Sequence, residues 1–182
     1  MQQNYQCKQF TFSNNQENPL AALDCILAFI GEAVKSFGNC KNILLRSKWI
    51  LTELFTNASK HSGENVICIE IEIRNEVLQI TKSDRGQPFS LLPDDERKAY
   101  PANFAEKHTY LLHKDDLNVL YATVTDNTLI FSAEDNIEVS DIAVQEINEH
   151  FGLVIITKSS DKFIYKYDSC SKTNIFTASL LL

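Results

Sequence analysis

The segment ELFTNASKH, residues 53–61, concentrates polar side chains that could do chemistry. Glu53 and Asn57 are spaced so that on a helix they lie one turn apart and point the same way. A carboxylate beside an amide oxygen can orient a hydroxyl group and ligate Mg2+, and Lys60 adds a cation for phosphate. The alternative is a solvated helix face, because charges spaced by one turn are common on exposed surfaces.

A second segment whose residues could contribute to chemistry or binding is SDRGQPF, residues 83–89. It directly follows a predicted strand and places the carboxylate of Asp84 close to Gly86. A glycine lets the backbone approach a ligand closely, so the pair could form part of a binding pocket. The alternative is an ordinary turn, in which Asp and Gly are both common.

Two amphipathic helices must position the first segment. From Pro19 to Phe37 apolar residues recur every three or four positions, and a second pattern of this kind covers residues 42–61. On the second helix the apolar side chains fall on one side, and the polar stripe that contains Glu53 and Asn57 falls on another.

Alternating and apolar runs predict the strands. A first strand is expected at residues 5–12, and hairpins are expected at 66–84, 118–133 and 162–181, with turns at 75–76, 125–127 and 169–172. Residues 90–117 are polar and mixed, and we interpret them as loop with at most a short helix. Residues 140–159 are typical of one or two helical pieces broken near Gly152.

Composition and charge narrow the classes of partner. The chain has 182 residues, a formal net charge of -7 and 44% hydrophobic residues, which indicates a folded protein without a basic surface for nucleic acid. Five cysteines without a C-x-x-C spacing predict neither a disulfide framework nor a zinc site. The first residues lack a signal-peptide pattern, and no segment is apolar enough for a membrane span, so a cytoplasmic protein without membrane partners is expected.

Together, in this order and spacing, the two segments resemble the histidine-kinase-like ATPase superfamily, also known as GHKL. Its asparagine box reads E-x-x-x-N-A-x-K/R-H and its first glycine box reads D-x-G-x-G/P, which stand here as ELFTNASKH and DRGQPF. The Pro-Phe after the glycine is most similar to the branch that contains the serine-kinase anti-sigma factors. The resemblance covers most of the chain and is strongest before Phe89.

The resemblance implies a role for each matching residue of the asparagine box. Glu53 matches the general base, and Asn57 matches the ligand of Mg2+. Lys60 and His61 match the positions near the phosphates of ATP. On this basis ATP and Mg2+ are the expected cofactors.

The resemblance also implies a reader of the base. Asp84 matches the residue that accepts a hydrogen bond from the exocyclic amine of adenine, and Gly86 would let the base lie against the chain. A buried carboxylate that accepts from an amine can distinguish adenine from guanine, so this assignment is chemically sensible.

Two later boxes of the family are altered in this chain. The second glycine box, G-x-G-L, is best matched by residues 150–153, where a histidine replaces the first glycine and Gly152 and Leu153 are retained. Lys172-Thr173 resembles the end of the last box, whose threonine bonds the water network beside the base, with Ser171 in place of glycine. Thr173 is therefore the residue of that box that the resemblance implies to bind at the nucleotide.

These observations predict a single domain over residues 1–182. We expect a two-layer α/β sandwich, with a mixed sheet of about five or more strands covered on one face by helices. Residues 90–148 would form a modified lid or a partner surface.

The leading hypothesis for function is an ATP-dependent serine kinase of the anti-sigma type. It would transfer the γ-phosphate to a serine of a protein partner, either a sigma factor or an anti-anti-sigma-like protein. Members of the family commonly pair as dimers, so a homodimer is also expected. The first alternative is a non-catalytic binding module with a degenerate nucleotide site, and another is a detached ATPase domain that phosphorylates a histidine of a separate protein.

Overall fold

The computed structural model of the chain describes residues 5–13, 19–61, 66–85, 88–91, 107–136 and 150–182. Within these ranges the chain forms eight strands and three helices. In chain order they are β1 (Gln6–Ser13), α1 (Pro19–Val34), α2 (Cys40–His61), β2 (Val66–Arg74), β3 (Val77–Asp84), β4 (Thr109–Lys114), β5 (Asn118–Thr125), β6 (Thr128–Asp135), α3 (Phe151–Ser159), β7 (Lys162–Asp168) and β8 (Thr173–Leu181).

The strands form one eight-stranded sheet in the order β1-β2-β3-β8-β7-β6-β5-β4. Every neighbouring pair is antiparallel, so the prediction of a mixed sheet is wrong. The reason is connectivity, since tight turns join most neighbouring strands and cannot join parallel ones. Even the helical connections, from β1 to β2 and from β6 to β7, link antiparallel neighbours.

Two of the tight turns have the backbone that suits the twist of a hairpin. Asn75 and Glu76 have φ values of 51° and 60°, and Asp126 and Asn127 have φ values of 47° and 59°. Two successive residues with positive φ are characteristic of the type I′ turn, which matches the right-handed twist of the flanking strands. The predicted hairpins at 66–84 and 118–133 are confirmed.

One face of the sheet carries the hydrophobic core. Residues that lie opposite one another on adjacent strands share a face, so a row of paired residues can be followed from strand to strand across the sheet. Its central members are all buried: Ile71, Ile80, Ala178, Phe163, Phe131 and Ala122. Helix α1 packs against β1, α2 against β3 and α3 against β6, and α2 lies between the other two helices. The structure is therefore an α+β fold with helices over a sheet.

The segment predicted as loop contains a strand. Residues 109–114 form β4 at the edge of the sheet, and His113 on this strand is buried. The register shifts between Leu111 and His113, which interrupts the alternation on which a strand prediction depends. The described part of the expected lid, mainly β4, β5 and β6, therefore extends the sheet.

The predicted helices are present where the structure describes the chain. The helices predicted from Pro19 and across residues 42–61 are present, with α2 beginning at Cys40. Residues 140–149 lie outside the described residues, and α3 covers the later part of that predicted helical region. Among the described residues, no helix combines the length and apolar character that crossing a membrane requires.

Candidate functional site

The polar stripe of α2 faces the first turn of α3. A Cβ atom placed on Gly152 would lie 2.7 Å from Oε2 of Glu53 and 3.3 Å from Oδ1 of Asn57. Both side chains are half-buried rather than fully solvated. The structure thus brings together the glutamate and asparagine of the first segment and the retained glycine of the altered box.

The amino end of α3 provides the electrostatic setting for these side chains. The carbonyl of His150 accepts hydrogen bonds from the backbone N–H groups of Leu153 at 3.0 Å and Val154 at 3.3 Å, which starts the helix. The amino end of a helix carries a partial positive charge, so it favours a nearby carboxylate or phosphate. Leu153 itself is buried in the core, where it anchors this turn by packing.

The pKa of Glu53 is raised above its ordinary value. Burial against the neighbouring helix is the main cause, and the positive charge of Lys60 partly opposes it. A carboxylate with a raised pKa is a stronger base, as a group that takes a hydroxyl proton needs to be. Lys60 is exposed, and His61 is the last residue of α2.

Asp84 lies in a second, more buried cluster at the end of β3. Its Oδ2 contacts Nζ of Lys82 at 2.5 Å, and its Oδ1 accepts a hydrogen bond from Nδ2 of Asn174 at 3.1 Å. The relative exposure of Lys82 is 4% and that of Asp84 is 6%. Each carboxylate oxygen of the expected base reader therefore already has a partner within the chain itself.

The hydrogen bonds of this cluster reach Phe89, and ring contacts continue from there to the start of α3. The hydroxyl of Tyr165 donates to Oδ1 of Asn174 at 2.7 Å and accepts from the backbone N–H of Phe89 at 2.9 Å. The ring of Phe89 lies 5.6 Å from that of Tyr165 and 6.0 Å from that of His150. The Asp84 cluster and the Glu53 cluster are thus connected through two aromatic contacts.

Local strand geometry explains why the charged pair is buried. Alternation along β3 places Leu78, Ile80, Lys82 and Asp84 on the same face. The register with β8 then sets Asp84 opposite Asn174. The sequence interpretation overlooked Lys82, Asn174 and Tyr165. The sequence could have predicted the burial of Lys82, because it alternates with Ile80 and Asp84 on the buried face of β3.

One expected site residue, Gly86, lies outside the described residues. Another, Thr173, does not join either cluster. Thr173 begins β8, and its hydroxyl accepts from Oγ of Ser171 at 2.8 Å and contacts the carbonyl of Ser171 at 3.3 Å. Because strand side chains alternate, Thr173 points away from the face that holds Asn174.

The residues present fit a magnesium ion bound together with phosphates. Among the described residues no group of three or more His, Cys, Asp or Glu side chains could hold a metal by itself. Magnesium commonly takes one or two protein oxygens and completes its shell with phosphate oxygens and water. Asn57 lies on α2 beside Glu53 and faces the start of α3, and its amide oxygen is a ligand of this kind.

Comparison with protein-family models gives no match, and comparison with curated proteins gives none either.

Proposed function

We propose that the chain is a regulatory domain that binds ATP with Mg2+ and transfers the γ-phosphate to a serine of a protein partner, as in the anti-sigma serine kinases it resembles. The observation that carries the proposal is the contact of Gly152 with Glu53 and Asn57. It joins a candidate base, a candidate metal ligand and a helix amino end, which are the groups that phosphoryl transfer requires.

Each side chain of the Glu53 cluster has a role in this proposal. Asn57 would hold Mg2+ through its amide oxygen, and the ion would supply positive charge that neutralises the phosphates. Glu53 would take the proton of the serine hydroxyl, a role that its raised pKa supports. Lys60 would add positive charge for the phosphates, and His61 follows it at the end of α2.

The Asp84 cluster would read the base. Asp84 would accept a hydrogen bond from the exocyclic amine of adenine, and Gly86 would let the base lie against the chain. Guanine presents a carbonyl oxygen at the equivalent position, which a carboxylate repels, so the site would select adenine. Gly152 and Leu153 would set the turn that faces the phosphates.

The partner is proposed to be a sigma factor or an anti-anti-sigma-like protein. The net charge of -7 agrees with a protein partner rather than nucleic acid. The strands β4, β5 and β6 extend the sheet beyond β7 and offer an added surface for such a partner. A homodimer remains an expectation from the resemblance.

Two substitutions test the catalytic roles separately. Asn57→Ala should lose the Mg2+-dependent part of nucleotide affinity, whereas Glu53→Gln should retain binding and lose phosphoryl transfer. Binding is measured by calorimetry. Transfer is measured with γ-labelled ATP in an extract of the native cell, where an acid-stable product indicates a hydroxyl ester such as phosphoserine and an acid-labile product indicates phosphohistidine. If both variants match the wild type in binding and transfer, the stripe is only a helix face.

A second candidate function is a non-catalytic module that binds a protein partner. Two observations favour it. Both oxygens of Asp84 are already occupied, and His150 replaces a glycine of the phosphate-binding turn. Wild-type protein that binds nucleotide without transferring phosphate, or that binds none, would support this module over the kinase.

A further inference from the structure

Lys82 has no counterpart among the residues that the sequence motifs assign, yet it touches the carboxylate expected to read the base. We infer that Lys82 is an internal competitor of the nucleotide, which closes the base pocket in the free protein and must leave before adenine binds. This inference rests on the proposed nucleotide site.

The contacts of Lys82 are of the same type as those that a base would make. Its ammonium group donates to Oδ2 of Asp84, as the exocyclic amine of adenine would. The same Nζ atom lies 5.3 Å from the ring centroid of Phe176, a surface on which an aromatic base could stack. One lysine side chain therefore occupies both the acceptor and the aromatic face.

The rest of the network keeps Asp84 in place when Lys82 leaves. Asn174 holds the other carboxylate oxygen, and the hydroxyl of Tyr165 fixes the amide of Asn174. Lysine has a flexible stem and a strongly hydrated ammonium group, so its release into water is chemically feasible. Binding would exchange one donor to Asp84 for another, so Lys82 lowers the net affinity for nucleotide.

The direct test compares two lysine substitutions by calorimetric titration with ADP and Mg2+. Lys82→Met removes the competitor, and Lys166→Met removes an exposed lysine of β7 as a matched control. Lys82→Met should bind ADP about tenfold more tightly than the wild type, the scale of one hydrogen bond to a charged group, and Lys166→Met should not change.

The outcomes separate the inference from the proposed function. If the wild type binds and Lys82→Met binds equally or more weakly, the inference is overturned and the nucleotide site stands. If neither protein binds, removal of Lys82 does not open a pocket, and both the inference and the proposed nucleotide site are overturned.

A second measurement uses the wild type, in case Lys82→Met does not fold. Reductive methylation with formaldehyde labels exposed lysines, so Lys82 should be protected in the free protein and labelled at saturating ADP. Lys166 should be labelled in both states, because it is exposed in the free protein. Protection of Lys82 that persists at saturation contradicts its displacement.

Discussion

The two carboxylates of the candidate site, Glu53 and Asp84, are held in opposite ways. Glu53 is half-buried against the first turn of α3, where its pKa is raised by burial. Asp84 is almost fully buried and is held by an ammonium group on one oxygen and an amide on the other. Burial thus outweighs the nearby positive charges for Glu53, whereas the charge of Asp84 is compensated by groups bonded to it.

This difference indicates different contributions to stability. A buried charge that has a partner becomes very unfavourable when the partner is removed, whereas a half-exposed carboxylate can be replaced at little cost. Asp84 is therefore expected to matter for folding as well as for any ligand. Glu53 is expected to matter for chemistry and little for folding.

The largest expected effect is that of Asp84→Ala on the free energy of unfolding. The substitution leaves the ammonium group of Lys82 either buried without its carboxylate or displaced into water with loss of its packing, which should lower the free energy of unfolding by up to about 3–5 kcal/mol. Glu53→Ala should lower it by less than about 1 kcal/mol. Urea denaturation of both variants measures the difference.

A double substitution separates the cost of leaving one buried charge unpaired from the cost of replacing both residues of the pair. In Lys82→Met with Asp84→Leu no buried charge is left unpaired, so stability should return to within about 2 kcal/mol of the wild type. If Asp84→Ala is no more destabilising than Glu53→Ala, the buried pair does not contribute as described.

A smaller effect is expected in the pH dependence contributed by Glu53. Because the pKa of Glu53 is raised in the folded protein, its contribution is fully present below the unfolded pKa and is lost as the pH rises through the folded pKa. The wild type should therefore lose stability relative to Glu53→Gln as the pH is raised from about 4, the ordinary pKa of a glutamate, towards neutral. Solvent screening of the half-exposed group keeps this loss below about 1 kcal/mol.

The check is the difference in free energy of unfolding between the wild type and Glu53→Gln, followed across that pH range. A difference that moves in favour of the wild type as the pH rises would mean that Glu53 has a stabilising partner when ionised. That result would remove the contrast with Asp84.

Local patterns carried most of the fold prediction. Helical periodicity located α1 and α2, and alternation with turn residues located the hairpins of β2 with β3 and of β5 with β6. Sheet order depends on pairings between distant segments, such as β3 with β8, which no local pattern specifies. The order of the strands was not predicted for this reason, whereas the edge strand β4 was missed because its register shifts between Leu111 and His113.

The same limit applies to the candidate site. Glu53 and Asn57 were found because their spacing is helical, and Asp84 was found through its motif. Lys82 was missed because a lysine is normally exposed, and its burial here depends on Asp84 and the ring of Phe176. Asn174 and Tyr165 join the site only through tertiary contacts.

The most direct test of the nucleotide site is a calorimetric titration of the wild type with ADP, with Mg2+ and then with the metal chelated. The proposal predicts a dissociation constant of tens of micromolar or lower, about -6 kcal/mol or better, that weakens on chelation and in Asn57→Ala. Absence of binding at millimolar ADP with Mg2+, or an affinity that neither chelation nor Asn57→Ala changes, would contradict it.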